Sequence, residues 1–454
     1  MEFYVIPVSS GSDKYILYRP LAGLAFIGNR AMANLTQALL NNELDASAQV
    51  PENMLAFLRS SGYLEPDPPA PGSPLTAFAP TMAVLLLSNQ CQLRCIYCYA
   101  AAGEANRNEL SLDLGCVAIR AVYENARRSG APCFEVSFHG GGEPVLAWNV
   151  LQASTAFAKS LPYKSQITLT TNGIWSQKQC DWIIENLDGL TLSMDGCPET
   201  QNHQRPFTSG RGSYSQVIRT VNELDRHAFQ YSIRLTATAP WNHLPEEIHF
   251  LCNQTGCQTF QVEPAFNAGR GGHGQPAVEQ GRAFVHAFLE AIDIAAKAGR
   301  HLFFSGARLG TITSAFCTAP YQALIVNANG DLVTCYEIAS DDHRLAEISI
   351  IGKIVAGQVS IDQDRRLRLL NQLSERRKGC KECFCYWSCA GNCYSRAFGT
   401  GEDGYLKRDV RCEINRVITE GLLLQGIEEA EKQLLGDGVW RSPYQAYSNP
   451  IVGF

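Results

Sequence analysis

The sequence predicts an α/β chain, an open partial barrel of six parallel strands set between a small N-terminal unit and a cysteine-rich C-terminal region. Three observations predict it. Strand-like and helix-like segments alternate six times between residue 82 and about residue 300; crossovers of that length demand parallel strands with right-handed connections. Six units fall short of a closed eight-stranded barrel. Turn motifs stand at the C-terminal ends of the strand-like runs, where parallel sheets gather their active sites. Finally, the chain has 17 cysteines, and two clusters of them stand out, at 91–98 and at 380–393, the rest being scattered.

Composition bounds the function classes. A chain of 454 residues exceeds one typical domain, and 45% apolar with 18% charged residues suits a sizeable core. A net charge of −6 disfavours generic nucleic-acid or acidic-membrane binding. The basic runs Arg365-Arg366-Leu367-Arg368 and Arg376-Arg377-Lys378 read as solvated faces. No apolar run is long enough for a transmembrane helix, and the start, MEFYVIPVSSGSDKY, lacks a basic-then-apolar signal. The expected location is therefore the cytoplasm, where thiols stay reduced and clustered cysteines point to metal.

Residues 1–64 read as a separate unit. Phe3 to Val8, Tyr15 to Arg19 and Leu24 to Ile27 are strand-like, and Ala31 to Leu40 and Asn53 to Leu58 have helical periodicity. Residues 65–80, rich in proline, form a stiff linker. The barrel occupies 81–305, with strands beginning near Met82, Phe134, Gln166, Leu190, Tyr231 and Thr259. Helical segments include Leu112 to Arg127, Val217 to His227 and Val278 to Lys297.

The first strand ends at Ser88-Asn89, and Cys91, Cys95 and Cys98 follow as C-x3-C-x2-C, with Tyr97 just before the last. Three thiolates on one tight loop can hold three corners of a cubane cluster that normally takes four, leaving one iron for an outside ligand. Strand two runs into His139-Gly140-Gly141-Gly142-Glu143-Pro144, where three glycines allow close backbone approach. His139 reads as a packed or capping residue. Strand three ends in Thr170-Thr171-Asn172-Gly173, strand four in Ser193-Met194-Asp195-Gly196, and strand six in Glu263-Pro264, while Arg234 lies on strand five. Cys116, Cys133, Cys180, Cys197, Cys252 and Cys257 lack cluster spacing and read as core.

Beyond 300 the alternation stops. Ala323 to Val326 and Leu332 to Thr334 flank Asn327-Ala328-Asn329-Gly330 as a β-hairpin. Cys317 and Cys335 bracket that hairpin, and Cys380-x2-Cys383-x5-Cys389-x3-Cys393 with Cys412 completes seven cysteines that do not fit a zinc ribbon. Ile414 to Leu434 is mostly helical in pattern but interrupted at Gly421 and Gly426, and the tail is turn-rich.

The loop at 91–98 and the GGGEP turn resemble the signatures of the radical S-adenosylmethionine (SAM) enzymes, and the later cysteines are similar, interval by interval, to the SPASM extension of peptide maturases. That resemblance implies three [4Fe–4S] clusters and cleavage of SAM to a 5′-deoxyadenosyl radical that abstracts hydrogen from substrate. It implies that Cys91, Cys95 and Cys98 hold the SAM-binding cluster. Tyr97, Gly140, Gly141, Gly142, Glu143, Ser193 and Arg234 would bind SAM. One auxiliary cluster would take Cys380, Cys383, Cys389 and Cys412, the other Cys317, Cys335 and Cys393. The fourth position of this inner cluster is open, filled by another residue type, or supplied by Cys385. Glu263, Glu337 and Asp195 are candidate catalytic proton acceptors by position. The SPASM region would span 306–415, and a C-terminal helix and tail 416–454. The N-terminal unit resembles a winged-helix-like domain that adds a leader peptide to a sheet edge.

The implied activity is maturation of a ribosomally made peptide, by a thioether, C–C or C–O cross-link or another oxidation, with a flavodoxin- or ferredoxin-type reductant as second partner. The rivals are a sulfatase-activating, formylglycine-forming maturase, a radical SAM enzyme of small molecules, and a non-catalytic iron–sulfur carrier. The GGGEP turn disfavours the carrier, which has no need to bind SAM.

Overall fold

The computed structural model describes residues 1–9, 11–41, 43, 51–72, 77–266, 270, 276–397 and 409–437. Its main sheet begins with six parallel strands that pair in chain order: β4 (Met82–Leu86), β5 (Phe134–His139), β6 (Ser165–Thr171), β7 (Gly189–Ser193), β8 (Tyr231–Ala237) and β9 (Thr259–Pro264). Strand starts fall within one residue of the sequence expectation. Ahead of them, β1 (Tyr4–Pro7), β2 (Tyr15–Arg19) and β3 (Leu24–Gly28) form a three-stranded antiparallel sheet, followed by helices at Arg30–Leu40 and Glu52–Ser60.

Alternation within the strands separates two faces of the sheet. On β5, Phe134, Val136 and Phe138 are fully buried, while Glu135, Ser137 and His139 are half-buried. The same alternation recurs on β6 and β8, where Ile167, Leu169, Ile233 and Leu235 join the core with Ala118, Ile119 and Val122 of the Leu112–Ser129 helix. Each such aliphatic side chain contributes about 1.5–3 kcal/mol by leaving water. The opposite face, carrying Thr168, Thr170, Thr191, Ser193 and Arg234, is polar and only half-buried, so it lines the barrel interior. Helix starts are set locally: Ser111 accepts from the Leu114 amide at 3.4 Å, and Ser176 and Gln179 form a reciprocal capping box.

β4 organises the chain. Ala83, Leu85 and Leu87 enter the main core, whereas Val84 and Leu86 enter a second core with Ile325, Val333, Leu369 and Tyr394. That second core exists because the sheet does not stop at β4. β11 (Ala323–Val326) pairs parallel to it, Ala323 opposite Met82, and β12 (Asp331–Val333) turns back antiparallel. The expected hairpin therefore forms, but as part of the main sheet. β13 (Ile350–Val355) and β14 (Gln358–Ile361) extend it further, and β10 (His301–Phe303) adds a parallel strand beyond β9, giving eleven strands in all. β10 is too short for a periodic signal. The β13–β14 turn rests on positive φ at Ala356 (49°) and Gly357 (74°), and alanine gives no turn signal.

Two sequence expectations are corrected. The C-terminal helix runs unbroken from Val410 to Asp437 across both glycines. A Cβ at Gly421 would lie 2.7 Å from Leu289 Cδ2, so this glycine lets the helix press against the Val278–Lys297 helix. The basic runs are not wholly solvated faces: Arg366 is fully buried and Arg376 is 7% exposed. The tail from residue 438 lies outside the described residues.

Candidate functional site

The cysteine loop is clamped by main-chain bonds from the barrel. Arg94 N donates to Pro206 O (2.7 Å) and Ile96 N to Gln204 O (3.0 Å), while Cys98 N closes a turn within the loop on Cys95 O (3.2 Å). Arg94 folds back on its own loop, Nη1 to Cys91 O at 2.8 Å and Nη2 to Gly103 O at 3.0 Å. Arg270 holds the far side, Nη1 to Cys95 O at 3.0 Å and Nη2 to Ala102 O at 2.9 Å. Asn172 Nδ2 lies 3.7 Å from Cys91 Sγ.

The three glycines meet this loop. A Cβ on Gly142 would sit 2.1 Å from Gln90 O, and one on Gly140 2.3 Å from Gly142 O. Gly142 N donates to Ser88 O (2.6 Å) and Glu143 N to Gln90 O (2.7 Å), so the turn after β5 grips the approach to Cys91. The Glu143 carboxylate is buried. It accepts from Val145 N (3.2 Å), Thr171 Oγ1 (2.9 Å) and Asn172 N (2.8 Å), tying β5 to the end of β6. Burial nevertheless pushes it up to about 7, against the pull of those donors. His139 behaves as a packed residue: its ring lies 4.9 Å from Tyr336 and its Nδ1 accepts from Gly140 N at 2.9 Å. Burial and Arg234 push it down to about 4.

Ser193 and Arg234 face each other in register across β7 and β8, on the half-buried polar face. Asp195 is buried in a bidentate pair with Arg205 (2.9 Å to each oxygen), and it also accepts from Tyr97 Oη and from Thr236 N at 3.0 Å. Both of its oxygens are thus occupied, tying Tyr97 to Arg205 and to β8. Arg205 carried no local motif and was not singled out from sequence. Glu263 is likewise paired, 2.9 Å from Arg396 Nη1, and accepts from Gln261 at 2.9 Å. Burial works to raise its carboxyl, but Arg396 and Arg234 outweigh it and hold the group below the usual range. Glu337 accepts from Ser395 Oγ. It lies in electrostatic reach of Tyr99, Cys335 and Cys393, where the barrel meets the C-terminal region. Tyr99 also senses Cys98 and Arg234, and its only sequence signal is adjacency to Cys98.

The cysteines of the C-terminal region gather into two sets. Cys317, Cys335 and Cys393 lie within electrostatic reach of one another. Cys389 senses Cys380 and Cys383, and Cys412 senses Cys389. Cys385, one option for the inner set's fourth ligand, instead contacts Cys383 and Cys389 and approaches Asn415 O at 4.0 Å. It sits beside the outer set. Burial pushes Cys91 up to about 12 and Cys95, Cys317, Cys389 and Cys412 up to about 11. Crowded, desolvated thiols of this kind become stable thiolates when a cation binds them. Among the described residues no three such groups converge closely enough for a single metal ion. The donor chemistry is all sulfur, the ligand type that iron–sulfur clusters take.

Residues 85–242 match the model of the radical SAM superfamily. The chain is 22% identical over 276 residues to the sporulation killing factor maturation protein SkfB of Bacillus subtilis (strain 168), a match that takes in 58% of this chain and 61% of that protein. It is 23% identical over 333 residues to the serine-type anaerobic sulfatase-maturating enzyme of Klebsiella pneumoniae, covering 69% of this chain and 81% of that one. Among solved structures, anSMEcpe with bound AdoMet superposes with a TM-score of 0.61 at 16% identity, over 77% of this chain and 99% of its own. SuiB of Streptococcus suis bound to precursor peptide SuiA gives 0.53 at 15%, over 88% and 97%. Those two likenesses are of fold.

Proposed function

We propose, from the premise that this chain is a radical SAM enzyme working with S-adenosylmethionine and an iron–sulfur cluster, that it modifies a residue of a ribosomally made precursor peptide. Cys91, Cys95 and Cys98 would hold the SAM-binding cluster, and Gly140 to Gly142, Ser193 and Arg234 would border the SAM. The bound pair supplies a carbon-centred oxidant able to take hydrogen from an unactivated carbon. The chain's own part is placement and exclusion of water. Tyr97, Asp195 and Arg205 brace the loop, Glu143 joins β5 to β6, and Arg234 offers a guanidinium for a carboxylate.

The single observation that carries this reading is the seating of the GGG turn on the main chain of Ser88 and Gln90, which holds the start of the cysteine loop against the end of β5. Peptides as substrates are supported by the relatives, SkfB being named a maturation protein and SuiB being solved with its precursor peptide. Residues 1–64 would receive the leader at an edge of the β1–β3 sheet. The two C-terminal sets would hold auxiliary clusters that accept the electron released as product forms, and a cross-link or other oxidation would be the outcome.

Glu337, Asp195 and Glu263 would each be a candidate proton acceptor, Glu337 by its place between Tyr99, Cys335 and Cys393. The sulfatase-type reading is favoured by one observation, the 81% coverage of the Klebsiella enzyme. Co-expression with candidate precursor peptides, read by mass, separates the two. A mass change on a leader-bearing peptide that disappears when residues 1–64 are deleted supports peptide maturation. Conversion of a serine or cysteine in a sulfatase peptide by the same deleted chain overturns it.

A further inference from the structure

Two arginines in the C-terminal region stand between the cysteine sets. Arg308 is pinned at both ends by neighbours of cysteines. Its guanidinium lies 5.1 Å from the ring of Phe316, which precedes Cys317, and its Nη2 donates to the carbonyl of Ser388 at 3.2 Å, which precedes Cys389. It therefore spans from the inner set to the outer one, and both Cys389 and Cys317 feel its charge. Arg376 comes from the opposite side, near the end of the Gln363–Lys378 helix, with its carbonyl 4.0 Å from Cys380 Sγ. Its electrostatic neighbours are Cys393 of the inner set, Cys412 and Cys380 of the outer, and the carboxylate of Asp409.

Both are short of partners. Nε of Arg308, and Nε and Nη2 of Arg376, are sealed from solvent and make no hydrogen bond among the described residues. Buried arginines elsewhere in the site have carboxylates, Arg205 with Asp195 and Arg396 with Glu263, whereas neither of these forms an ion pair among the described residues. A desolvated guanidinium without a directly paired counter-charge costs several kcal/mol. What lies in reach of these two is sulfur on either side, with one carboxylate each, Glu263 for Arg308 and Asp409 for Arg376.

We propose that Arg308 and Arg376 are shared electrostatic partners of the two cysteine sets, each holding both auxiliary clusters at a higher reduction potential than thiolate ligation alone would give. The inference rests on the two-cluster reading above. Cluster potentials follow net charge, hydrogen bonding to sulfur and solvent exposure. A cation fixed in a low-dielectric gap stabilises the added electron on whichever cluster carries it. Raised potentials suit clusters that receive electrons from a product-forming step, and a charge shared between them keeps the two close in potential. The arginines act through the clusters and are positioning residues.

The test uses the full chain carrying Cys91→Ala, Cys95→Ala and Cys98→Ala, prepared anaerobically, so that only the C-terminal sets contribute to the EPR-monitored redox titration. Arg308→Gln and Arg376→Gln are made separately in that background. The expected result is two midpoint potentials in the parent, both moving to more negative values in each variant with iron content unchanged. A shift in one cluster alone, or in neither, overturns the inference and leaves the two-cluster reading standing. A parent without two titrating clusters overturns that reading and the inference with it. If neither variant keeps its iron, the arginines serve assembly rather than potential, which also overturns the proposal.

Discussion

The two cysteine regions of this chain are built on opposite plans. Cys91, Cys95 and Cys98 sit on one short loop, and the barrel holds that loop by its backbone, through Gln204, Pro206 and Arg270. The C-terminal sets draw on distant segments, Cys317 and Cys335 flanking a hairpin and Cys393 lying beyond a helix. Arginines and carboxylates both surround them, among them Arg308, Arg376, Glu337 and Asp409. The contrast teaches that one set of thiols is pre-formed by local geometry, while the others come together only through long-range packing.

The largest effect expected from this contrast is a clean separation of functions. Alanine at Cys91, Cys95 and Cys98 should abolish 5′-deoxyadenosine release, measured chromatographically, while iron bound by the C-terminal sets remains. Cys389→Ala should do the reverse, keeping SAM cleavage and losing modified peptide. If the loop variant still cleaves SAM, the division of labour fails.

Next comes the seating of the loop. Gly142→Ala puts a methyl group 2.1 Å from Gln90 O, and backbone against backbone cannot yield cheaply. SAM cleavage should fall by about tenfold or more, ~1.4 kcal/mol in the barrier, with the C-terminal iron content unaltered.

The brace behind Tyr97 gives the third prediction. Asp195→Asn strands Arg205 in a buried site, at a cost of about 3 kcal/mol in unfolding free energy by urea titration. A change under about 0.5 kcal/mol, the size typical of a neutral surface substitution, would mean that the pair carries no weight.

Glu143 makes a smaller, pH-dependent contribution. Its folded value of about 7 lies above the ordinary 4.5, so the folded chain binds the proton more tightly than the unfolded one. Stability from this group is complete below about pH 4.5 and declines as pH rises through about 7, by ~3 kcal/mol in the ligand-free chain. Glu143→Gln should flatten that slope in melts across pH 4–8. The least effect is expected at Gly421→Ala, where the new methyl meets the flexible tip of Leu289 at 2.7 Å. Overpacking partly offset by helix propensity leaves about 1 kcal/mol of destabilisation.

What was legible in the sequence follows the same contrast. The six barrel strands could be read because their hydrophobic runs end in recognisable turns, and the loop cysteines because their spacing is short. Arg205, Tyr99, Arg308 and Arg376 could not be read, since their roles arise only when distant segments meet. The grouping of Cys385 beside the outer set was hidden too, because chain intervals do not say which neighbour a thiol faces. Strand β10 and the β13–β14 hairpin were missed for a local reason: one has three residues, and the other turns on an alanine at positive φ.

The central claim is that the loop thiolates leave one iron of their cluster for SAM. It is tested most directly by EPR of the reduced chain in which Cys317, Cys335, Cys380, Cys383, Cys389, Cys393 and Cys412 are replaced by alanine, recorded with and without SAM. A cluster signal whose g values change when SAM is added is the predicted result; a signal indifferent to SAM, or no iron in the loop at all, would contradict it.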